Sequence, residues 1–215
     1  MNNLQRHRRT VAALIGVLCT EILLAGTSLA GMVTVNVTTR SGSAAADAVI
    51  VFEPLDATPA EGHDTAVIDQ INKTFAPRVS VVRTGTTITF PNSDRIRHQV
   101  YSFSPAKTFT LKLYAGSPKT PVTFDHPGLV ILGCNIHDNM VAFVCVVDSP
   151  YFAKTADSGA ASLNLPAGRY RLRAWHPNAT GAIPPQEITV AAAPLNIPLA
   201  IDVDSTSATV AAWPE

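Results

Sequence analysis

From residue 31 onward, apolar and polar positions alternate. Val33, Val35 and Val37 are separated by polar neighbours, and Thr87-Ile88-Thr89-Phe90 repeats the pattern after Val81-Val82 and Thr84-Gly85-Thr86. A period of two is that of a strand with one buried face. Pro91-Asn92, Ser117-Pro118, His126-Pro127-Gly128, Pro166-Ala167-Gly168 and Pro177-Asn178 punctuate these runs as turns. Beyond the first thirty residues no stretch keeps a helical period for about a dozen residues, so the pattern predicts an all-β chain, a sandwich or barrel with closely spaced strands. No internal repeat is visible.

The first thirty residues differ. Arg6, Arg8 and Arg9 precede an apolar run from Val11 to Leu18, and Ser28-Leu29-Ala30 supplies small residues. These are the parts of a secretory signal, cleaved near Ala30. Thr20 and Glu21 break the run short of the roughly 20 residues that a membrane span needs, so no span is expected in the mature chain. The Arg8-Arg9 pair leaves the export route open.

Two changes of character divide the remainder. Residues 57–65 are polar and turn-rich, and Asp148-Ser149-Pro150 marks a second break. Segments 31–56, 65–148 and 151–203 result, followed by a tail at 204–215. Composition narrows the possible functions. The chain has 215 residues, with 16 Lys+Arg against 16 Asp+Glu, 47% hydrophobic and 15% charged. A neutral chain whose only basic cluster lies in the leader does not carry the charge that nucleic-acid binding requires. Loss of the leader removes three arginines and Glu21, leaving a slightly acidic exported part. It also removes Cys19, so that only Cys134 and Cys145 remain, in a compartment where disulfides are permitted.

Cys134-Asn135-Ile136-His137-Asp138-Asn139-Met140 is a C-x2-H-x2-M run, and His98 opens an upstream strand, His98-Gln99-Val100-Tyr101. A mononuclear blue-copper site needs two imidazole nitrogens and a thiolate in one plane, with a weak thioether on the axis. His98, Cys134, His137 and Met140 supply that inventory. A short loop between strands can carry three of the donors, and the fourth must come from a strand distant in sequence. Other chemistries lack their parts. There is one suitable cysteine where a binuclear copper centre needs two, and no His-x-His pair for a multicopper oxidase. Methionine is a poor zinc ligand, and no Gly-x-Ser-x-Gly is present. A single caged copper without an open substrate position exchanges one electron, so the reading is not an enzyme.

Each residue also has a plainer reading. Cys145, in Ala142-Phe143-Val144-Cys145-Val146-Val147, reads as a small core hydrophobe, and a Cys134–Cys145 disulfide is an alternative to copper. Met140 can be core filler. His126 and His63 read as surface histidines, His176 as a strand cap, and Arg95 and Arg97 as solvated loop residues.

Residues 65–148 resemble the cupredoxin family. A strand followed by Phe-x-Pro is matched by Val67 to Phe75-Ala76-Pro77, and the second strand by Val81 through Phe90-Pro91-Asn92. Phe124-Asp125-His126-Pro127-Gly128 resembles the turn before the cysteine, and the C-x2-H-x2-M spacing is that of amicyanins. The whole chain resembles proteobacterial cupredoxin-domain proteins of the methylamine-utilisation type. The resemblance implies a Greek-key sandwich and a periplasmic copper protein. Its redox partner would be a c-type cytochrome or a periplasmic dehydrogenase. It places Asn92 and Gln99 around the ligands; Gln99 stands where the family often has the Asn that ties the two ligand loops together, and Asp138 where amicyanins have proline.

Residues 151–203 resemble a carboxypeptidase-regulatory or transthyretin-like sandwich, through Thr155-Ala156-Asp157-Ser158-Gly159 and Leu165-Pro166-Ala167-Gly168-Arg169-Tyr170-Arg171-Leu172. Its opening strands match Val33 to Arg40 and Asp47-Ala48-Val49-Ile50-Val51. The expectation is a cupredoxin block inserted into a split sandwich of 31–56 and 151–203. Two rival functions remain: copper delivery without an electron-transfer task, and a structural sandwich with a vestigial site.

Overall fold

The computed structural model describes residues 30–58, 62, 64–118, 120–204, 206 and 210–214. The leader apart from Ala30, with Cys19, and the connector residue His63 lie outside these. The described residues form strands and turns with no helix, and among them no helix is long and apolar enough to cross a membrane.

The chain opens with β1 (Ala30–Thr39) and β2 (Val49–Pro54). A central run follows: β3 (Thr65–Val67), β4 (Asp69–Ile71), β5 (Thr74–Ala76), β6 (Val79–Arg83), β7 (Thr86–Thr89) and β8 (His98–Ser104). It continues with β9 (Lys107–Tyr114), β10 (Val122–Phe124), β11 (Gly128–Leu132) and β12 (Ala142–Val147). The last strands are β13 (Phe152–Lys154), β14 (Ala160–Pro166), β15 (Gly168–Trp175), β16 (Gln186–Val190) and β17 (Leu195–Ile201). The first two strands pair only with the last five. β1 lies between β14 and β17, and β2 between β13 and β15, with β16 beyond β15. The central strands pair among themselves, in sheets ordered β10-β7-β3 and β11-β12-β6 and in the two-stranded pairs β4-β5 and β8-β9.

Three apolar cores separate these layers. Val33, Val35 and Val37 of β1 meet Ile50 and Phe52 of β2 and Leu172 of β15 in the first. Ile88, Phe90, Val100, Phe124, Leu132, Ala142 and Val144 build the second, inside the central strands. The third is a seam between the two groups of strands: Val49, Val51 and Trp175 pack against Val79, Phe143, Cys145 and Val147. Alternation explains how β2 and β12 serve two cores at once. Ile50 and Phe52 face one way while Val49 and Val51 face the other; Ala142, Val144 and Val146 face the second core while Phe143, Cys145 and Val147 enter the seam. A strand buried on both faces has no polar positions to alternate, which is why residues 49–52 and 142–147 read as unbroken apolar runs.

The segment expected as a tail is packed where it is described. Trp175 Nε1 donates to the Ala211 carbonyl at 2.9 Å, and Val210 and Trp213 pack on the seam. Arg173, held by Glu53 at 2.9 Å, also donates to the Pro214 carbonyl.

Candidate metal centre

His98 is the first residue of β8, and the β8–β9 register shifts between His98 and Val100. Such a bulge re-aims the side chain beside it, and His98 is fully buried. Cys134 follows β11 and Gly133. The backbones of Gly133 and Tyr101 exchange two hydrogen bonds, 3.0 and 2.9 Å, which ties the β8 strand to the cysteine loop. A Cβ on Gly133 would stand 2.6 Å from the outer end of the Tyr101 ring, so glycine lets that ring lie across the strand crossing. Beyond Cys134 the loop turns back through the Met140 N–H, which donates to the His137 carbonyl at 3.0 Å.

These elements bring three predicted donors together. One donor atom from each of His98, Cys134 and His137 lies within 4.8 Å of the others. The Cys134 Sγ to His98 Nδ1 separation is 3.9 Å, and the two imidazole centroids are 5.1 Å apart. Metal–ligand bonds of about 2.0 to 2.3 Å place two donors of one ion as much as roughly 4.5 Å apart; the 3.9 Å pair lies inside that reach and the 4.8 Å bound just beyond it, so the cluster is close to single-ion size. His137 Nδ1 is shielded from water and has no hydrogen-bond partner among the described residues, a costly state for a polar atom unless something else meets it. Met140 is 1% exposed and shares the second core with Cys134. Two imidazoles, a thiol and a thioether are the donor set of mononuclear copper; the residues present fit that ion.

The surroundings fix the donors. Gln99 Oε1 accepts from Asn135 Nδ2 at 2.8 Å, so the glutamine links β8 to the cysteine loop. Asn92 is buried and holds the loop before β8: its Nδ2 donates to the Ile96 and Tyr114 carbonyls, both at 2.9 Å, and its Oδ1 accepts from the Asp94 N–H at 3.0 Å. Sequence reasoning passed over Asp94, whose Oδ2 lies 2.8 Å from His98 Nε2. Burial pushes the Asp94 carboxyl up, and hydrogen bonds from the Lys73 N–H, His98 and the Asn72 N–H together outweigh it, so its pKa lies below the ordinary value. A contact this short needs a hydrogen between the two atoms, and an ionised carboxylate only accepts. The only hint in the sequence is a carboxylate four residues before the histidine, in the Asn92-Ser93-Asp94 turn. Nearby, Tyr114 donates to the Phe90 carbonyl at 2.6 Å; burial first, with Asp69 and Cys134 adding to it, pushes its pKa to about 12 against the opposing bond from Gln70.

The remaining candidates are elsewhere. Cys145 is free, as is Cys134. Their side chains belong to different cores, which excludes the disulfide alternative, and burial pushes the Cys145 thiol well up. His126, Arg95 and Arg97 are exposed. His176 is buried, with its Nε2 on the Ala46 carbonyl at 3.1 Å and its Nδ1 accepting from the Asn178 N–H at 3.1 Å.

Comparison with protein-family models and with curated proteins gives no match. Solved structures similar to part of the chain are cupredoxins. A copper-containing nitrite reductase from Thermus scotoductus SA-01 is 22% identical over 46% of this chain and 26% of its own, with a TM-score of 0.37; the chain thus spans about a quarter of that enzyme. A purple cupredoxin from Nitrosopumilus maritimus is 22% identical over 38% of this chain and 98% of its own, with a TM-score of 0.34. Pseudoazurin from Methylobacterium extorquens AM1 is 24% identical over 40% of this chain and 77% of its own, again with a TM-score of 0.34.

Proposed function

We propose that the chain is an exported, periplasmic type 1 copper protein that carries single electrons between redox partners and is not an enzyme. The observation that carries this reading is the convergence of His98, Cys134 and His137 within 4.8 Å, with His137 Nδ1 left without a hydrogen-bond partner among the described residues. His98 Nδ1, Cys134 Sγ and His137 Nδ1 would hold one copper ion, with the Met140 thioether as a fourth, weak donor. A copper ion so held supplies one-electron chemistry.

The chain's own residues account for the rest. Burial of His98, Cys134 and Met140 shields their side of the site from water. Gln99–Asn135 and Tyr101–Gly133 fix the two ligand-bearing segments against each other, so that the donors need little rearrangement when an electron arrives or leaves. His137 is only partly buried, and Ile136 beside it is 51% exposed, so the edge of His137 is the electron port. The partner would be a c-type cytochrome or a periplasmic dehydrogenase, one that oxidises methylamine among them. Binding requires a thiolate and neutral imidazoles, so copper loading should weaken as pH falls.

Addition of Cu(II) to the purified metal-free protein should give the intense blue thiolate-to-copper charge-transfer band. A colourless product, or a band that survives Cys134→Ser, would sink this reading.

A further inference from the structure

The β4–β5 hairpin carries none of the four donors, yet its turn braces the metal centre. Asn72 and Lys73 both have left-handed backbones, with φ of 55° and 59°, the conformation of a tight two-residue hairpin turn. Their successive N–H groups point at one carboxylate: Asn72 N donates to Asp94 Oδ1 at 2.7 Å, and Lys73 N to Asp94 Oδ2 at 2.9 Å. The Asp94 N–H is held in turn by Asn92 Oδ1. Asp94 is thus fixed from three sides. Its Oδ2 also meets His98 Nε2 at 2.8 Å, and that histidine is fully buried while the aspartate side chain is 15% exposed. The other nitrogen of the same ring, Nδ1, is the one 3.9 Å from Cys134 Sγ.

We propose that Asp94 is a positioning residue of the metal centre: its carboxylate accepts a hydrogen bond from the Nε2–H of His98, which leaves Nδ1 with the lone pair that faces Cys134 and His137, and its charge would favour the oxidised form of a bound copper. The second half rests on the copper reading given above; the first half does not. A carboxylate behind a ligating histidine fixes ring orientation and tautomer and raises the basicity of the ligand. At this site the hairpin turn fixes the carboxylate as well. An anionic neighbour stabilises Cu(II) more than Cu(I), because the ion with the larger charge gains more from it.

Two measurements test the proposal separately. In the metal-free protein, ring-nitrogen NMR of 15N-labelled His98 at neutral pH should show Nε2–H alone. Asp94→Ala should yield a mixture of tautomers, and Asp94→Glu should restore the single form. An Nδ1–H tautomer in the parent, or no change in Asp94→Ala, overturns the positioning role. In the copper-loaded protein, Asp94→Asn keeps a carbonyl acceptor for Nε2–H but removes the charge. It should lower the Cu(II)-to-Cu(I) affinity ratio about tenfold, a rise in potential of about 59 mV for one electron. A folded, blue Asp94→Asn with the parent's potential overturns the charge effect. If the parent itself gives no blue band, the functional reading fails while the tautomer measurement still decides the role of Asp94.

Discussion

Truncating Phe143 should weaken the whole chain and not the metal centre. Phe143 is 3% exposed, its ring centroid lies 5.4 Å from that of Trp175, and the Arg78 guanidinium sits 5.3 Å above the ring. Phe→Ala at a buried site costs about 3 to 5 kcal/mol through lost transfer energy and the cavity left behind, and the aromatic pairing is part of that loss. Set against a total stability of about 5 to 15 kcal/mol, this is a large fraction. For a chain of this size each kcal/mol moves the thermal midpoint by about 2 to 4 °C, so Phe143→Ala should melt roughly 6 to 20 °C below the parent. Phe103→Ala, at 76% exposure, is the control and should change stability by no more than about 0.5 kcal/mol. Because Phe143 faces the seam and Ala142 and Val144 face the core shared by Cys134 and Met140, copper uptake by folded Phe143→Ala should match the parent. Scanning calorimetry with a copper titration reads both quantities. A midpoint shift below about 2 °C, or parent unfolding in two independent transitions, would refute the argument that the seam joins the two groups of strands into one cooperative unit.

Other expectations follow from single contacts. Gln99→Ala removes the acceptor of Asn135 Nδ2 and should cost about 0.5 to 1.5 kcal/mol; hydrogen exchange across residues 133–137 should speed up in the metal-free variant, and unchanged exchange would remove the glutamine as a tie between the ligand segments. Burial lowers the pKa of His176 below its ordinary 6.5, against the raising influence of the Ala46 carbonyl and Asp47. Its neutral form therefore contributes stability that is fully present above about pH 6.5 and is lost as pH falls through the lower, folded-state value. Urea midpoints measured from pH 7.5 to 5 should drop more steeply in the parent than in His176→Gln, and parallel curves would contradict the assignment. Tyr114, with its pKa at about 12, should remain protonated in an ultraviolet titration to pH 11; phenolate absorbance from Tyr114 that is absent in Tyr114→Phe and appears near pH 10 would show that the residue is not buried as described.

Much of this molecule is legible in its sequence because strands and metal donors both have short-range signatures. Val33, Val35 and Val37 mark a strand by alternation alone, and their side chains enter one core. Ala142 to Val147 is also read as a strand, but its unbroken apolar run does not say that Cys145 belongs to a second interface and not to the core of its own sheet. That distinction depends on what lies behind the sheet, and here it is Val49, Val51 and Trp175 from strands that are distant in sequence. Donor identity is local in the same sense: Cys134, His137 and Met140 sit on one loop, and His98 at the head of a strand. The residues that hold the donors are not local. Asp94 becomes significant only once the Asn72-Lys73 turn folds over it, and Tyr101 only once it crosses Gly133. Val210 to Pro214 has a composition indistinguishable from a tail, and it is Trp175 Nε1 and Arg173 that give it a place.

The central claim is that one copper, held by His98, Cys134, His137 and Met140, passes one electron at a time. Reductive and oxidative titration of the copper-loaded protein, following the blue band with metal content measured on the same sample, tests it most directly. One copper per chain, bleaching with one electron equivalent and full recovery on reoxidation over repeated cycles are the predicted result. Copper that is released on reduction, or a band that does not return, would contradict electron carriage and leave a metal-handling protein in its place.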